Sequence, residues 1–146
     1  MFRFKLDPLL NFRRKQEEEK QRDLAFATRE FMKVDSELEE FTKQKMQAAA
    51  SLNEKERQSE DVNVLRLYED FIKGRDYDIV NKKAEVQNAR DTVSKRQEEL
   101  LEYVKKRRSL EAYRERREAA FREEETRKER IFMDEVAGMN WFREAL

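Results

Sequence analysis

Residues 65–100 read LRLYEDFIKGRDYDIVNKKAEVQNARDTVSKRQEEL, and apolar residues recur there at a spacing of seven, six times in succession. A sevenfold repeat keeps side chains on one side of a slightly underwound α-helix, whereas a strand would alternate with a period of two. The stretch is therefore predicted to be the middle of one long helix whose stripe packs against another helix. The stripe consists of Leu65, Ile72, Ile79, Val86, Val93 and Leu100.

The composition indicates what kind of fold this helix belongs to. The 146 residues are 45% charged and 38% hydrophobic, with one proline and two glycines. A globular domain is about 25% charged, so a spherical core is not expected. Such a high charge is also typical of disorder. The periodic apolar residues instead favour a thin seam between long helices. The predicted fold is all-α: a long antiparallel two-helix coiled coil (an α-helical hairpin) with unequal helices.

Several kinds of site are excluded by residue type. There is no Cys and no His, which excludes disulfides, thiol nucleophiles, histidine catalysis and Cys or His metal sites. The 33 basic and 33 acidic residues give a formal charge of zero, which argues against a chain that coats nucleic acid. No apolar run approaches the roughly 20 residues of a membrane span, and no signal-peptide core follows the start Met. We therefore expect a cytoplasmic protein.

The predicted hairpin is a single domain over residues 1–146. Asp7-Pro8 has the pattern of a helix start, because Asp accepts hydrogen bonds from first-turn amides and Pro is pre-set for the first helical position. Helix one is predicted at about residues 7–57. The following polar stretch has no seam and contains candidate helix caps, so the turn is placed at about residues 58–63.

Helix two is predicted at about residues 62–137, with Gly138 at its C-terminal cap and a tail at residues 138–146. Helix two is longer than helix one, so its residues beyond about Arg117 have no intramolecular partner. An unpaired helix that carries apolar residues is expected to bind another molecule or to fray.

Helix one carries its own stripe, found by alternating steps of four and three. The stripe is charged at Arg13, Glu17 and Lys20, so a looser and wetter section is expected near the N-terminus. It is apolar further along, where tight packing against helix two is expected. The apolar part includes Leu24, Phe31, Val34 and Leu38.

An aromatic cluster lies close to the predicted turn. Tyr68, Phe71 and Ile72 are within about one helical turn of each other. Ile72 belongs to the stripe, so Phe71 is turned partly outward. With Phe41 on helix one, it forms a candidate docking patch. Aromatic side chains that simply fill a splayed hairpin tip would show the same spacing, and both interpretations stay open.

The charge runs give no catalytic site. The basic residues at 105–108, 114, 116 and 117 could meet an acidic surface or nucleic acid, or they form a solvated helix face that nearby glutamates balance through i,i+4 pairs. The glutamate runs 17–19 and 123–125 cannot converge on one atom, because adjacent helical residues point about 100° apart. We predict no catalytic residue, no metal site and no cofactor, and the chain is not expected to be an enzyme.

Four segments in order resemble the FliJ family of flagellar type III export proteins. They are FRFKLDPLLN at residues 2–11, YEDFI at 68–72, KRRSLEAYRERR at 106–117 and MDEVA at 133–137. The resemblance covers nearly the whole chain. The chain departs from the family pattern near Leu100, where many members carry Trp. The aromatic pair Trp141-Phe142 is not a recognised family feature.

The resemblance implies a non-enzymatic coiled coil similar to the γ-subunit stalk of rotary ATPases. It would lie on the cytoplasmic side of the inner membrane at the flagellar base. The implied partners are the hexameric export ATPase, the cytoplasmic part of the export-gate membrane protein, and export chaperones, but not nucleic acid. By motif, Tyr68, Phe71 and Ile72, with nearby Phe41, become gate-docking candidates. The candidates for the ATPase are Phe2, Phe4, Leu6, Leu9, Leu10, Phe121, Asp134 and Glu135.

Two other functions remain open from the sequence. The equivalent stalk protein of a needle-type secretion system has the same shape, although the FRFKL start and MDEVA end favour the flagellar version. A self-associating structural coiled coil is the other alternative, in which the unpaired part of helix two pairs antiparallel with a second copy. By itself the chain is otherwise expected to be a monomer.

Overall fold

The computed structural model describes residues 1–146 and contains two α-helices and no strands. Helix α1 runs Asp7–Arg57 (51 residues) and helix α2 runs Val62–Ala145 (84 residues). The predicted all-α hairpin with a longer second helix is confirmed. Neither helix has a stretch that is both long and apolar enough to cross a membrane.

The end of α1 is a Schellman motif built on Ser59. The Ser59 amide donates to the Glu56 carbonyl oxygen at 3.2 Å, and the Glu60 amide donates to the Lys55 carbonyl oxygen at 3.2 Å. This pattern places Ser59 at the position that is usually glycine, and its φ of 54° is left-handed. An ion pair of 3.7 Å between Lys55 and Glu60 closes the same turn.

The start of α2 is capped by Asp61. The Asn63 amide donates to Asp61 Oδ1 at 3.1 Å, and the amides of Val64 and Leu65 donate to the Asp61 carbonyl oxygen at 3.0 and 3.2 Å. Asp61 thus satisfies the exposed amides of the first turn. The connection between the helices comprises residues 58–61, slightly shorter than predicted.

The C-terminal end of α2 differs from the prediction. α2 continues through Gly138 to Ala145, and no glycine has a positive φ. The predicted helix end at residue 137 and the tail at residues 138–146 were therefore wrong. A helical glycine costs only about 1 kcal/mol relative to alanine. The residues that follow Gly138 include no proline to stop the helix.

The contacts divide the chain into two compact units, which we call the turn unit (Glu19–Leu101) and the terminal unit (Met1–Glu18 with Glu102–Leu146). In the turn unit α1 and α2 pack antiparallel, with Lys45 Nζ 2.5 Å from Asp76 Oδ1. The centre of its seam is small and apolar. Buried there are Ala27, Ala48, Ile79 and Val86. The remaining seam positions are half-buried and none is exposed: Leu24, Phe31, Val34, Leu38, Leu65, Val93 and Leu100.

In the terminal unit the non-helical N-terminal segment packs on α2. Phe4 is buried, and its ring centroid lies 5.9 Å from that of Tyr113. The rings of Phe2 and Phe121 are 5.7 Å apart. Leu10, with 2% exposure, is the most buried large side chain of the molecule.

The sevenfold series of α2 continues into this unit with charged residues. Arg107 and Arg114 are half-buried there, and Phe121 is the next member of the series. Arg107 forms a hydrogen-bonded ion pair with Glu17, which is only 8% exposed. Arg114 Nε lies 3.5 Å from Asp7 Oδ1. The seam of the terminal unit is therefore partly polar, held by ion pairs rather than by aliphatic packing alone.

Candidate docking surfaces

A shallow apolar groove of about 600 Å³ lies beside the connection between the helices. We call it the tip groove. Its floor includes Ala48, which is 8% exposed, and its outer wall includes Phe71 and Leu67, which are 42% and 70% exposed. Large apolar side chains left in solvent beside a concave surface are typical of protein docking sites. The lining residues are Gln44, Gln47, Ala48, Ser51, Val64, Leu67, Tyr68 and Phe71.

The tip groove contains one polar group without a partner. Gln44 Nε2 donates to Glu40 Oε1 at 3.3 Å, but Gln44 Oε1 is buried and accepts no hydrogen bond. A buried acceptor that lacks a donor is unfavourable. Because this oxygen has no exposed surface, a ligand in the groove would contact mainly the apolar side chains.

The structure separates the predicted aromatic cluster into two groups. Tyr68 and Phe71 line the tip groove, whereas Ile72 is half-buried on the stripe. Phe41 lies under Arg75, whose Cζ is 4.9 Å from the Phe41 centroid and 5.0 Å from the Phe71 centroid. Arg75 thus holds the two rings by cation–π contacts.

Two residues in the α1 wall of the groove, Gln47 and Ser51, were not predicted, because they are polar and no apolar pattern marks them. Leu67 stands four residues before Phe71, the spacing of one helical turn, and that signal could have predicted their common face.

In each of the two units, half-buried ion pairs beside the seam join α1 to α2. Lys82 Nζ lies 2.6 Å from Glu37 Oε2, and the hydrogen bond from Lys82 lowers the pKa of Glu37. In the terminal unit, the hydrogen bonds that Arg107 donates to Glu17 and Glu111 raise the pKa of Arg107. Burial opposes ionisation of Glu111, but the hydrogen bond and charge of Arg107 outweigh it and lower the Glu111 pKa.

The predicted N-terminal candidates are only partly accessible. Phe4 and Leu10 are buried. Phe2 is half-buried against Phe121. Leu6 and Leu9 are each 38% exposed and remain open to a partner.

The free part of α2 starts after Phe121 rather than after Arg117, because the ring of Phe121 packs on that of Phe2. We call residues 122–146 the distal segment. All its residues are exposed except Val136, which is half-buried, so Asp134 and Glu135 face solvent. Its large exposed apolar side chains are Ile131, Phe132, Met133, Met139, Trp141, Phe142 and Leu146.

No group of three or more His, Cys, Asp or Glu side chains is arranged to hold a metal ion. The structure presents two exposed apolar surfaces, the tip groove and the distal segment. The family model described as "Flagellar FliJ protein" matches residues 2–146. The chain belongs to the FliJ family. This confirms the resemblance seen in the four segments and links the chain to flagellar protein export. Comparisons with curated proteins and with solved structures gave no match.

Proposed function

We propose that this FliJ-family chain is a coiled-coil stalk and escort protein of the flagellar type III export apparatus. It binds the export ATPase ring and the cytoplasmic part of the export-gate membrane protein, and it handles export chaperones. It works at the flagellar base, on the cytoplasmic side of the inner membrane, and has no enzymatic activity of its own. Family membership over residues 2–146 supports an export role. The match favours the flagellar apparatus over the needle-type system.

The tip groove is the proposed contact with the gate protein. The observation that carries this assignment is the exposed pair Phe71 and Leu67 in the wall of an apolar groove. A gate segment with an apolar side chain would cover the two side chains. Such central apolar anchors supply most of the affinity in protein interfaces.

The distal segment is the proposed contact with the ATPase ring. It is a continuous helical extension of α2 with apolar side chains and no partner within the chain. At 1.5 Å per residue it reaches roughly 35 Å beyond Phe121. A single helix of this length can enter a ring pore, and exposed Phe132 and Met133 would contact the pore wall.

The gate contact is tested by measuring binding of the Phe71→Ala variant to the purified cytoplasmic part of the gate protein. We expect at least about tenfold weaker binding, the loss typical of an aromatic anchor. Val80→Ala is the matched control, because Val80 is 67% exposed and outside the groove. Equal affinities of Phe71→Ala and the unchanged protein would exclude the tip groove as the gate contact.

The ATPase contact is tested separately by mixing the chain with the purified export ATPase. We expect a change in hexamer formation or in ATP hydrolysis, which Phe71→Ala retains and Phe132→Asp loses. Phe132 is 64% exposed, so its replacement leaves the fold intact. Absence of binding and of any effect at micromolar concentration would contradict the stalk function.

A further inference from the structure

The distal segment carries a stripe with alternating steps of four and three, which is offset by one residue from the seam of the terminal unit. In that unit Arg114, Glu118 and Phe121 are half-buried at steps of four and three. Two successive steps of four, from Phe121 to Glu125 and on to Glu129, join the seam to the distal stripe, and Glu125 itself lies 3.9 Å from Lys128. This stripe consists of Glu125, Glu129, Phe132, Val136, Met139, Arg143 and Leu146.

The stripe is largely complementary to itself in one antiparallel register, in which the mismatched layer is Glu129 opposite Met139. With a second copy reversed and centred near residue 134, Phe132 lies opposite Val136 of the second copy. Glu125 then lies opposite Arg143, so two ion pairs form, one at each end of the contact. In an antiparallel coiled coil, each core residue of one helix lies opposite a core residue of the reversed helix in this way. We propose that the distal segments of two copies pair antiparallel in this register.

The residues that flank the stripe fit the same register. Met133 faces Met133 of the second copy, and both side chains are otherwise 64% exposed. Lys128 faces the Phe142 ring, an arrangement suited to a cation–π contact. Glu135 faces its own copy and is the one like-charge contact among these positions. Trp141 lies on the opposite side of the helix and stays uncovered.

The charges disfavour the parallel alternative. In a parallel pair each residue faces its own copy, which would set Glu125 against Glu125, Glu129 against Glu129 and Arg143 against Arg143. Like charges across a coiled coil are destabilising. The antiparallel pair covers the surface that we assign to the ATPase ring, so the ring and the second copy compete for it.

The chain has no cysteine, so single-cysteine variants report this register without background. Met133→Cys is expected to give covalent dimers with a short bismaleimide. Thr126→Cys and Asn140→Cys occupy equivalent heptad positions but lie roughly 20 Å from their own copies in this register. Neither variant alone is expected to cross-link, whereas a mixture of the two is expected to give covalent dimers. Cross-linking of Thr126→Cys alone as efficient as that of Met133→Cys would overturn the register.

Sedimentation equilibrium provides the second test. We expect a concentration-dependent species of twice the 17.9 kDa chain mass. Arg143→Glu should weaken the dimer about tenfold, because two attractive contacts become repulsive. The double variant Glu125→Arg with Arg143→Glu should restore the affinity. A monomer at all concentrations, or a double variant no tighter than Arg143→Glu, would overturn the proposal.

Discussion

Ser59 shows how one residue limits the stability of the hairpin turn. Its φ of 54° places a side chain in the left-handed region, at the Schellman position where glycine carries no steric penalty. Ser59→Gly should therefore raise the free energy of unfolding by about 1 kcal/mol, because a residue with a Cβ pays a steric penalty in the left-handed region. The change is measured from urea unfolding curves.

The matched control is Ser94→Gly, since Ser94 is exposed within α2. There glycine should lower stability by a few tenths of a kcal/mol, roughly 0.5. A destabilised Ser59→Gly protein would contradict the Schellman geometry.

Glu17 and Arg107 illustrate what the sequence could and could not predict at single positions. The charge of Glu17 at a seam position of helix one predicted a looser, wetter section. In the structure Arg107 pairs with both Glu17 and Glu111, the latter at 2.7 Å. A buried ion pair adds little stability over apolar packing, but it restricts which registers are tolerated. Which charges meet across a seam depends on the offset between the helices, and a linear sequence does not contain that offset.

At the scale of the helix, Gly138 was predicted to end helix two, but in the structure α2 continues through it to Ala145. A Cβ added at Gly138 meets nothing within 4 Å, and the backbone there is helical. Gly138→Ala should therefore stabilise the distal segment by about 1 kcal/mol. Slower hydrogen exchange of amides in residues 131–145 is the measurement.

Gly74→Ala is the control for this change, because Gly74 is also helical with open space around it. Its gain should be similar but should appear in the turn unit. Faster exchange in Gly138→Ala would indicate that Gly138 ends the helix, as its residue type had suggested.

The elements were predictable where a period defines them. The stripes from Leu24 to Leu38 and from Leu65 to Leu100 predicted the two helices and their inward faces. The packing of Phe2 and Phe4 on α2 was not predictable, because the segment before Asp7 has no helical period. The tip groove combines polar α1 residues with Phe71, and only the offset of the helices brings them together.

For the whole molecule, the ion pairs predict loss of stability in acid. The pKa of Glu37 is lowered by its hydrogen bond to Lys82, and the pKa of Glu111 is also lowered. In the unfolded chain the pKa values of both glutamates return toward the ordinary value of 4.5. Their contribution is thus present above about pH 4.5 and lost as the pH falls through the lower folded values. Urea midpoints measured from pH 7 to pH 3 should decrease below pH 4.5.

Glu37→Gln tests whether this carboxylate contributes to the loss of stability in acid, because the urea midpoint of the variant should decrease less below pH 4.5. At high pH the group that titrates is Lys82, whose pKa is raised above 10.5 by its hydrogen bond to Glu37. The contribution of Lys82 to stability is therefore complete below pH 10.5 and is lost as the pH rises through the folded-state pKa. A urea midpoint that does not change between pH 6 and pH 3 would show that these pairs are not linked to folding.

The connection at residues 58–61 also determines the order in which the molecule can assemble. Contacts beside the connection close short loops, whereas the contact between Phe2 and Phe121 joins residues that are far apart in the sequence. Loop closure costs more entropy as the separation grows, so folding is expected to nucleate at the connection and to proceed away from it. During synthesis α1 emerges from the ribosome before its partner exists. The N-terminal aromatic residues are then the last to dock, and they are the first to be released when the protein opens.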